Sequence, residues 1–162
     1  MIDFPEIFMR CMNIILINEG GYVNNPSDLG GETKFGISKR SFPNEDIKNM
    51  TIGRAIELYY YNYWIPMDLA GINNAELVLQ ILDFGINTGI RTAIRLIQKI
   101  AGVEKDGIMG PVTRRAINNF SGDILLLYKH GRREHYRSLV KNNPQLNIFL
   151  KGWLKRIDKT KF

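Results

Sequence analysis

Cysteine is almost absent from this 162-residue sequence, which contains only Cys11. A single cysteine excludes a disulfide within the chain, and this absence is typical of proteins that fold in a reducing compartment. A chain of this length nevertheless buries enough apolar surface to fold without cross-links, either as one compact domain or as two small lobes.

Long hydrophobic segments are also missing. The most apolar early stretch, residues 7–17, is interrupted by Arg10 and Asn13 and is too short to span a bilayer. The first residues are acidic and include Pro5, unlike the basic start of a secretory signal peptide. We therefore expect neither a signal peptide nor integral membrane association.

Metal-ligand patterns are scarce as well. The two histidines, His130 and His135, are too few for a metal site, and Cys11 lies far from them in the sequence. Residues 106–113 lack the carboxylate pattern of a calcium-binding loop. We expect no metal ion and no cofactor.

Acidic residues are few in the second half of the chain. Residues 1–89 contain 6 Lys and Arg against 11 Asp and Glu, whereas residues 90–162 contain 16 against 5. Such a basic half either attracts a polyanion, such as nucleic acid or the anionic polymers of a bacterial envelope, or is simply a solvated helical surface. Because no nucleic-acid-binding motif accompanies the basic residues, we expect no nucleic-acid partner.

Helical periodicity dominates the sequence, and no segment alternates apolar and polar residues over the length of a strand. The predicted fold class is therefore all-α, with at most a small β-hairpin near residues 20–37, where turn-forming residues are concentrated. Asp3 is the expected N-cap of the first helix, which ends near Glu19. Further helices are predicted at about residues 51–64, 75–87, 90–100, from 111 onward, 123–141 and 146–154.

Two carboxylates and a hydroxyl are spaced along the glycine-rich segment. Glu19 is followed nine residues later by Asp28, and Thr33 comes five residues after that. Glycosidic bond hydrolysis generally needs one carboxyl that protonates the leaving oxygen and one carboxylate that activates water. An apolar helix and Tyr22 should desolvate Glu19, whereas loop amides and solvent should keep Asp28 ionised.

These environments predict that Glu19 is the general acid, that Asp28 is the base, and that Thr33 orients the attacking water. The spacing alone leaves a structural alternative open, in which the three are a helix-end residue, a turn residue and a strand residue. A helix C-terminus is an unfavourable place for a carboxylate, which favours a functional explanation for Glu19.

Further residues are candidates for binding a sugar. Aromatic rings stack on sugar faces, and an asparagine amide can hydrogen-bond an acetamido group. The candidate substrate-binding residues are Tyr22, Asn24, Tyr63, Trp64 and Asn87. For each of them, packing in the core, at the surface or at a helix end is the alternative.

Asp83 is unusual because it lies on a nearly all-apolar predicted helix, where a bare charge would be costly. It is either a buried acid in a polar network or a group that tunes a nearby cleft. The sequence favours the structural role.

A resemblance to a known family rests first on residues 19–37, which read Glu-Gly-Gly-Tyr-Val-Asn-Asn-Pro-Ser-Asp-Leu-Gly-Gly-Glu-Thr-Lys-Phe-Gly-Ile. This segment resembles the signature of glycoside hydrolase family 108, whose members are N-acetylmuramidases of phage endolysins and of bacterial proteins labelled secretion activators. The resemblance implies that Glu19 is the catalytic acid. The order of Glu19, Asp28 and Thr33 also resembles the catalytic triad of phage lysozymes, although the Asp-to-Thr spacing differs by one residue.

The resemblance extends over nearly the whole chain. Residues 60–64 resemble the family's Tyr-Trp-containing helix, and residues 83–89 resemble its Asn- and Gly-containing segment. Residues 96–98 and 106–113 resemble the predicted peptidoglycan-binding segment that accompanies the catalytic region, and residues 133–139 and 152–156 match the family's C-terminal pattern.

The resemblance implies a lysozyme-like fold with two helical lobes around a cleft. Residues 1–90 would form the catalytic lobe and residues 91–162 a peptidoglycan-binding-like lobe. The partner would be the glycan strand of peptidoglycan, cleaved at the β-1,4 bond between N-acetylmuramic acid and N-acetylglucosamine. Water held by Asp28 and Thr33 would give inversion, whereas two carboxyl groups only about 5 Å apart would give retention.

Two other functions are open. A lytic transglycosylase would use the same acid but leave 1,6-anhydro ends, and a non-catalytic peptidoglycan-binding or secretion-accessory protein would keep only the fold. Without a signal peptide, the chain would be made in the bacterial cytoplasm and reach the cell wall by holin-type release or dedicated export. The sequence leaves the oligomeric state open. It also leaves open whether the protein is a phage endolysin or a secretion helper.

Overall fold

The computed structural model describes residues 3–24 and 31–162 of the chain. The chain divides into two compact units, Met1–Asn62 and Tyr63–Phe162. Helices account for most of the regular structure among the described residues, and the one sheet there has two short strands. The predicted all-α class with a small hairpin is therefore confirmed.

The first helix, α1, spans Glu6–Asn18 and packs one apolar face into the first unit. Its buried residues recur at three- and four-residue steps, as expected for an amphipathic helix, and they are Phe8, Cys11, Met12 and Ile15. The prediction that Asp3 caps this helix is wrong, because Pro5 occupies the N-cap position and no side chain caps the helix there. The fixed φ of proline suits a helix start, where no backbone donor is needed.

The hairpin consists of β1, Thr33–Lys34, and β2, Ile37–Ser38, which pair antiparallel. Phe35 and Gly36 form the turn between them with φ values of 52° and 76°. Two consecutive residues with positive φ are the signature of the tight turn that matches the twist of a hairpin. Val23 adds a third extended segment through a bridge to Thr33.

The helix predicted near residues 51–64 is present over that range, but its last five residues are π-helical instead of α-helical. Helix α2, Ile52–Tyr59, begins at Thr51, whose side chain accepts a hydrogen bond from the Arg54 amide. A five-residue π-helical segment, Tyr60–Trp64, and the short helix α3, Ile65–Met67, follow it. π-Helical turns are rare in proteins, and those that occur are frequently at functional sites.

The second unit is built around helix α4, which spans Ala75–Thr88 and is buried along Leu77–Gly85. The helices that follow lie close to the predicted positions, although the last one continues to Lys159, and the long helix follows Asp123, whose side chain caps it. They are α5 (Ile90–Ala101), α6 (Pro111–Asn118), α7 (Ile124–Asn142) and α8 (Asn147–Lys159), with a 3-10 turn at Pro144–Leu146.

Asp83 connects α4 to α7 and α8 through buried ion pairs. Its carboxylate accepts hydrogen bonds from Arg132 Nη2 at 2.7 Å and from Arg156 Nη2 at 2.8 Å, and both the Asp83 and Arg132 side chains are fully buried. Gln80, one turn earlier, accepts from Arg132 and donates to the Thr160 carbonyl at 2.6 Å. Asp83 is therefore a buried network acid whose one carboxylate pairs with two arginines.

Candidate functional site

Glu19 lies at the C-terminal end of α1, where the chain leaves the helix. Its backbone N–H still bonds to the Ile15 carbonyl at 3.1 Å, while its own φ and ψ of −90° and 141° are extended. The side chain is half-buried. This position fixes the backbone of the candidate acid through the helix while its side chain extends away from the helix.

The Glu19 side chain lies against the hairpin turn. A β-carbon placed on Gly36 would lie 2.9 Å from the Glu19 carboxyl carbon and 3.0 Å from its Cγ, and it would overlap the Tyr59 hydroxyl. Gly36 thus meets two demands at once, since it has a positive φ and its missing side chain leaves space for Glu19. The structure brings α1, the hairpin turn and α2 together at this point of the first unit.

Tyr59 holds the turn in place. Its side chain is 1% exposed, and its hydroxyl donates a hydrogen bond to the Phe35 carbonyl at 2.9 Å. Neither Tyr59 nor Gly36 was predicted from the sequence to be a site residue. Gly36 lies within residues 19–37, the segment that carries the family resemblance. It is the one sequence signal that could have indicated this contact, because a glycine in a hairpin turn indicates a positive φ or a close approach.

Tyr22 and Asn24 lie in the same loop as the predicted site, close to a second acidic residue. The Tyr22 hydroxyl donates to Glu32 Oε1 at 2.7 Å, and this bond is the main reason why the pKa of Tyr22 is raised. A hydrogen bond with the Asn24 side chain lowers the same pKa. Tyr22 is 40% exposed, so this pair of predicted binding residues is accessible to a ligand.

Thr33 is the first residue of β1 and is held by its backbone on two sides. Its amide and carbonyl pair with Val23 at 2.8 Å each, and it lies opposite Ser38 in the hairpin. The hydroxyl donates to the Gly31 carbonyl at 3.5 Å, which is long for a hydrogen bond. The hydroxyl is therefore weakly engaged. Asp28, the predicted base, lies outside the described residues.

The remaining candidates belong to the second unit. Tyr63 is half-buried and desolvation raises its pKa, whereas Trp64 is 5% exposed and offers little of its ring to a sugar. Asn87 is exposed at the end of α4, and its amide donates to the Asp83 carbonyl at 2.7 Å. Roles of these three residues in sugar binding stay predictions.

Acidic, histidine and cysteine side chains do not form a metal site in the described part of the chain, where no group of three or more could hold an ion. Likewise, none of the helices among the described residues is long and apolar enough to cross a membrane.

Both parts of the chain match models of known protein families. Residues 12–89 match the family model described as Glycosyl hydrolase 108, and residues 92–158 match the model described as Predicted Peptidoglycan domain. SagA of Brucella abortus has a similar solved structure, with a TM-score of 0.79 and 29% identity over 94% of this chain and 90% of that one. The search of curated proteins found no match. The fold class predicted from the sequence is confirmed by the structural likeness.

Proposed function

Because the chain carries a glycosyl hydrolase 108 domain followed by a peptidoglycan-binding segment, we propose that it is an N-acetylmuramidase with Glu19 as its general acid. The two family matches support a glycoside hydrolase that acts on peptidoglycan. Beyond these matches, we propose that the cleaved bond is the β-1,4 linkage between N-acetylmuramic acid and N-acetylglucosamine. We also propose that Glu19 protonates its leaving oxygen.

The observation that carries this proposal is the contact between the Glu19 side chain and Gly36. A general acid acts efficiently when its proton is held at a fixed position relative to the leaving oxygen. The helix end fixes the Glu19 backbone, and the turn that Tyr59 supports limits the orientations of its side chain. A merely structural helix-end glutamate would not need a turn shaped around it.

The second half of the proposed reaction uses Thr33 and Asp28. The weakly engaged Thr33 hydroxyl is available to hold a water, and Asp28 would remove the proton from that water as it attacks the anomeric carbon. An attack by water from the face opposite the leaving group inverts the configuration, and inverting enzymes separate their two carboxyl groups by about 6.5–9.5 Å. Retention would instead require the two groups to be about 5 Å apart.

The experiment that tests the proposal compares wild type with Glu19→Gln on purified sacculi. Turbidity, reducing ends and the masses of released fragments are measured together. We expect wild type to release fragments with reducing N-acetylmuramic acid ends and Glu19→Gln to release at least about a hundredfold less, because loss of a general acid typically costs 10²–10⁴ in rate.

Glu57→Gln is the matched control, since Glu57 is another carboxylate of the first unit and lies in a surface pair with Arg54. It should keep full activity. Fragments with 1,6-anhydro ends would identify a lytic transglycosylase instead, and sacculus binding without release by wild type would identify a binding protein. Equal activity of wild type and Glu19→Gln would remove Glu19 from the mechanism.

We also propose that the chain acts on the cell wall after holin-type release or dedicated export, because peptidoglycan lies outside the cytoplasmic membrane. Cell fractionation of the native host, with and without a co-expressed holin, tests this part of the proposal.

A further inference from the structure

A groove runs between α5 and α7 in the second unit, and none of the residues of the proposed mechanism lines it. It consists of two adjoining cavities of about 430 and 570 Å³. The two cavities share Leu96, Lys99 and His135 in their walls. Nothing in the proposed hydrolysis uses this groove.

The floor of the groove is apolar and depends on a glycine within α7. A β-carbon on Gly131 would lie 2.6 Å from Leu96 Cδ1, so the glycine allows the Leu96 side chain to lie directly on the α7 backbone. Glycine is the poorest helix former after proline, so its place in the middle of a helix favours a packing role. His135 is half-buried beside Phe84, and desolvation lowers its pKa, so it adds a neutral ring to the floor near pH 7.

The rim of the groove is positively charged. Arg95, Lys99 and Lys105 line one cavity, and neither lysine is in an ion pair with any residue that the structure describes. Glu134 is the one acidic residue among the described residues lining the two cavities, and Arg137 pairs with it at 2.5 Å. Asp106 lies near Arg95, but its carboxylate accepts hydrogen bonds from Gln98 and from the Ile108 amide. The groove therefore offers two lysines, without ion pairs among the described residues, above an apolar floor.

We propose that this groove binds the peptide stems of peptidoglycan, with Lys99 and Lys105 contacting their carboxylates and the floor contacting their methyl side chains. This inference rests on the proposed substrate of the chain. A stem is a short peptide with several free carboxylates and alanine methyl groups, which is the combination that the groove complements. A teichoic acid or a lipid surface has repeated phosphates and would match a longer basic strip without a short apolar floor.

A stem is covalently attached to the glycan strand, so the groove and the catalytic residues would hold the same polymer at two points. Two linked contacts raise the overall affinity without any new interaction at the scissile bond. The groove therefore contributes to KM on peptide-bearing strands and makes the enzyme prefer glycan that still carries its stems.

The direct test titrates the free tetrapeptide stem into the full chain and follows the backbone amide resonances of α5 and α7. The double variant Lys99→Glu/Lys105→Glu is compared with Lys151→Glu/Lys155→Glu, which makes the same change of charge on exposed residues of α8. We expect the groove variant to bind the tetrapeptide about tenfold more weakly than wild type, because two surface charge contacts are lost and reversed. The α8 variant should bind like wild type.

A second arm measures hydrolysis of sacculi that lack teichoic acids, before and after an amidase has removed the stems. Wild type should show a lower KM on the peptide-bearing strands, and the groove variant should show a KM there about three- to tenfold higher. Equal KM values of wild type on both substrates, or equal effects of the groove and α8 variants, would overturn the groove proposal while leaving hydrolysis intact. Tetrapeptide binding at α5 and α7 without any hydrolysis would instead support the groove and overturn the proposed enzymatic function.

Discussion

Glu19 and Gly36 lie so close together that a β-carbon on the glycine would be 2.9 Å from the carboxyl carbon of the glutamate. The two residues are 17 positions apart in the sequence and belong to a helix end and a hairpin turn. The Tyr59 hydroxyl supports this turn through its hydrogen bond to the Phe35 carbonyl. The orientation of the candidate acid therefore depends on a backbone turn, which can be tested without touching the acid.

Replacing Gly36 with alanine should reduce kcat by about a hundredfold, since small displacements of a catalytic group can cost that much. The new methyl group would push the Glu19 carboxyl aside, and the φ of 76° adds strain. Strain of this kind typically costs about 1–3 kcal/mol of stability. The measurement is the rate of reducing-end release together with the denaturant midpoint.

Gly102→Ala is the control for this prediction. Gly102 has a φ of 72° at the end of α5, and no atom lies within 4 Å of a β-carbon there. The Gly102→Ala variant should lose stability through backbone strain but keep its activity. Equal losses of activity in the two variants would show that strain, and not the position of Glu19, is responsible.

Tyr59→Phe should lower both stability and activity. The variant removes the donor to the Phe35 carbonyl in a buried place, which typically costs about 1–3 kcal/mol. It should also loosen the turn against which Glu19 lies and so reduce kcat several-fold. Tyr61→Phe, at a residue that is 55% exposed, is the control and should change neither quantity. A normal kcat in Tyr59→Phe would show that the turn keeps its position without this bond.

Asp83→Asn should destabilise the second unit strongly. The change leaves Arg132 buried beside a neutral group, and breaking a buried ion pair from one side costs about 3–5 kcal/mol. Asp158→Asn removes the carboxylate of an exposed pair with Arg133 and should cost less than about 1 kcal/mol. Urea unfolding of both variants measures the difference, and similar midpoints for the two would contradict the assigned role of Asp83.

The Cys11 thiol should be inert in the folded protein. Burial raises its pKa from 9.0 to about 12, so almost no thiolate exists at pH 8 in the native state. Labelling with a thiol reagent should therefore follow the fraction unfolded in urea. The unfolded thiol ionises near pH 9.0 and the folded one near 12, so this group stabilises the fold below pH 9.0, and that contribution falls as the pH rises toward 12. Rapid labelling without urea would show that α1 opens locally.

Much of the helical architecture could be predicted because it depends on local signals. Thr51 and Asp123 cap helices that begin where the sequence predicts them, and the helical periodicity of apolar residues places most helices within a few residues of their observed limits. The start of α1 was predicted wrongly because two features compete there, and the rigid φ of Pro5 prevails over a cap by Asp3. The π-helical segment has no periodic signature of its own, so it was predicted as ordinary helix.

The candidate site could be predicted only in part, because its geometry depends on contacts between distant segments. The sequence pointed to Glu19 through its chemistry and spacing, but Tyr59 lies 24 residues from the carbonyl that it binds, which no local pattern indicates. The same limit applies to Asp83, whose partners follow 49 and 73 residues later. Its apolar surroundings indicated a network, but not its members.

Those separations have a consequence for synthesis on the ribosome. Helix α4 leaves the exit tunnel with Asp83 and a long apolar surface, yet Arg132 and Arg156, which neutralise that carboxylate, emerge much later. The second unit cannot bury Asp83 at low cost until both α7 and α8 are outside the tunnel. The nascent chain can therefore complete this unit only after α8 has left the tunnel.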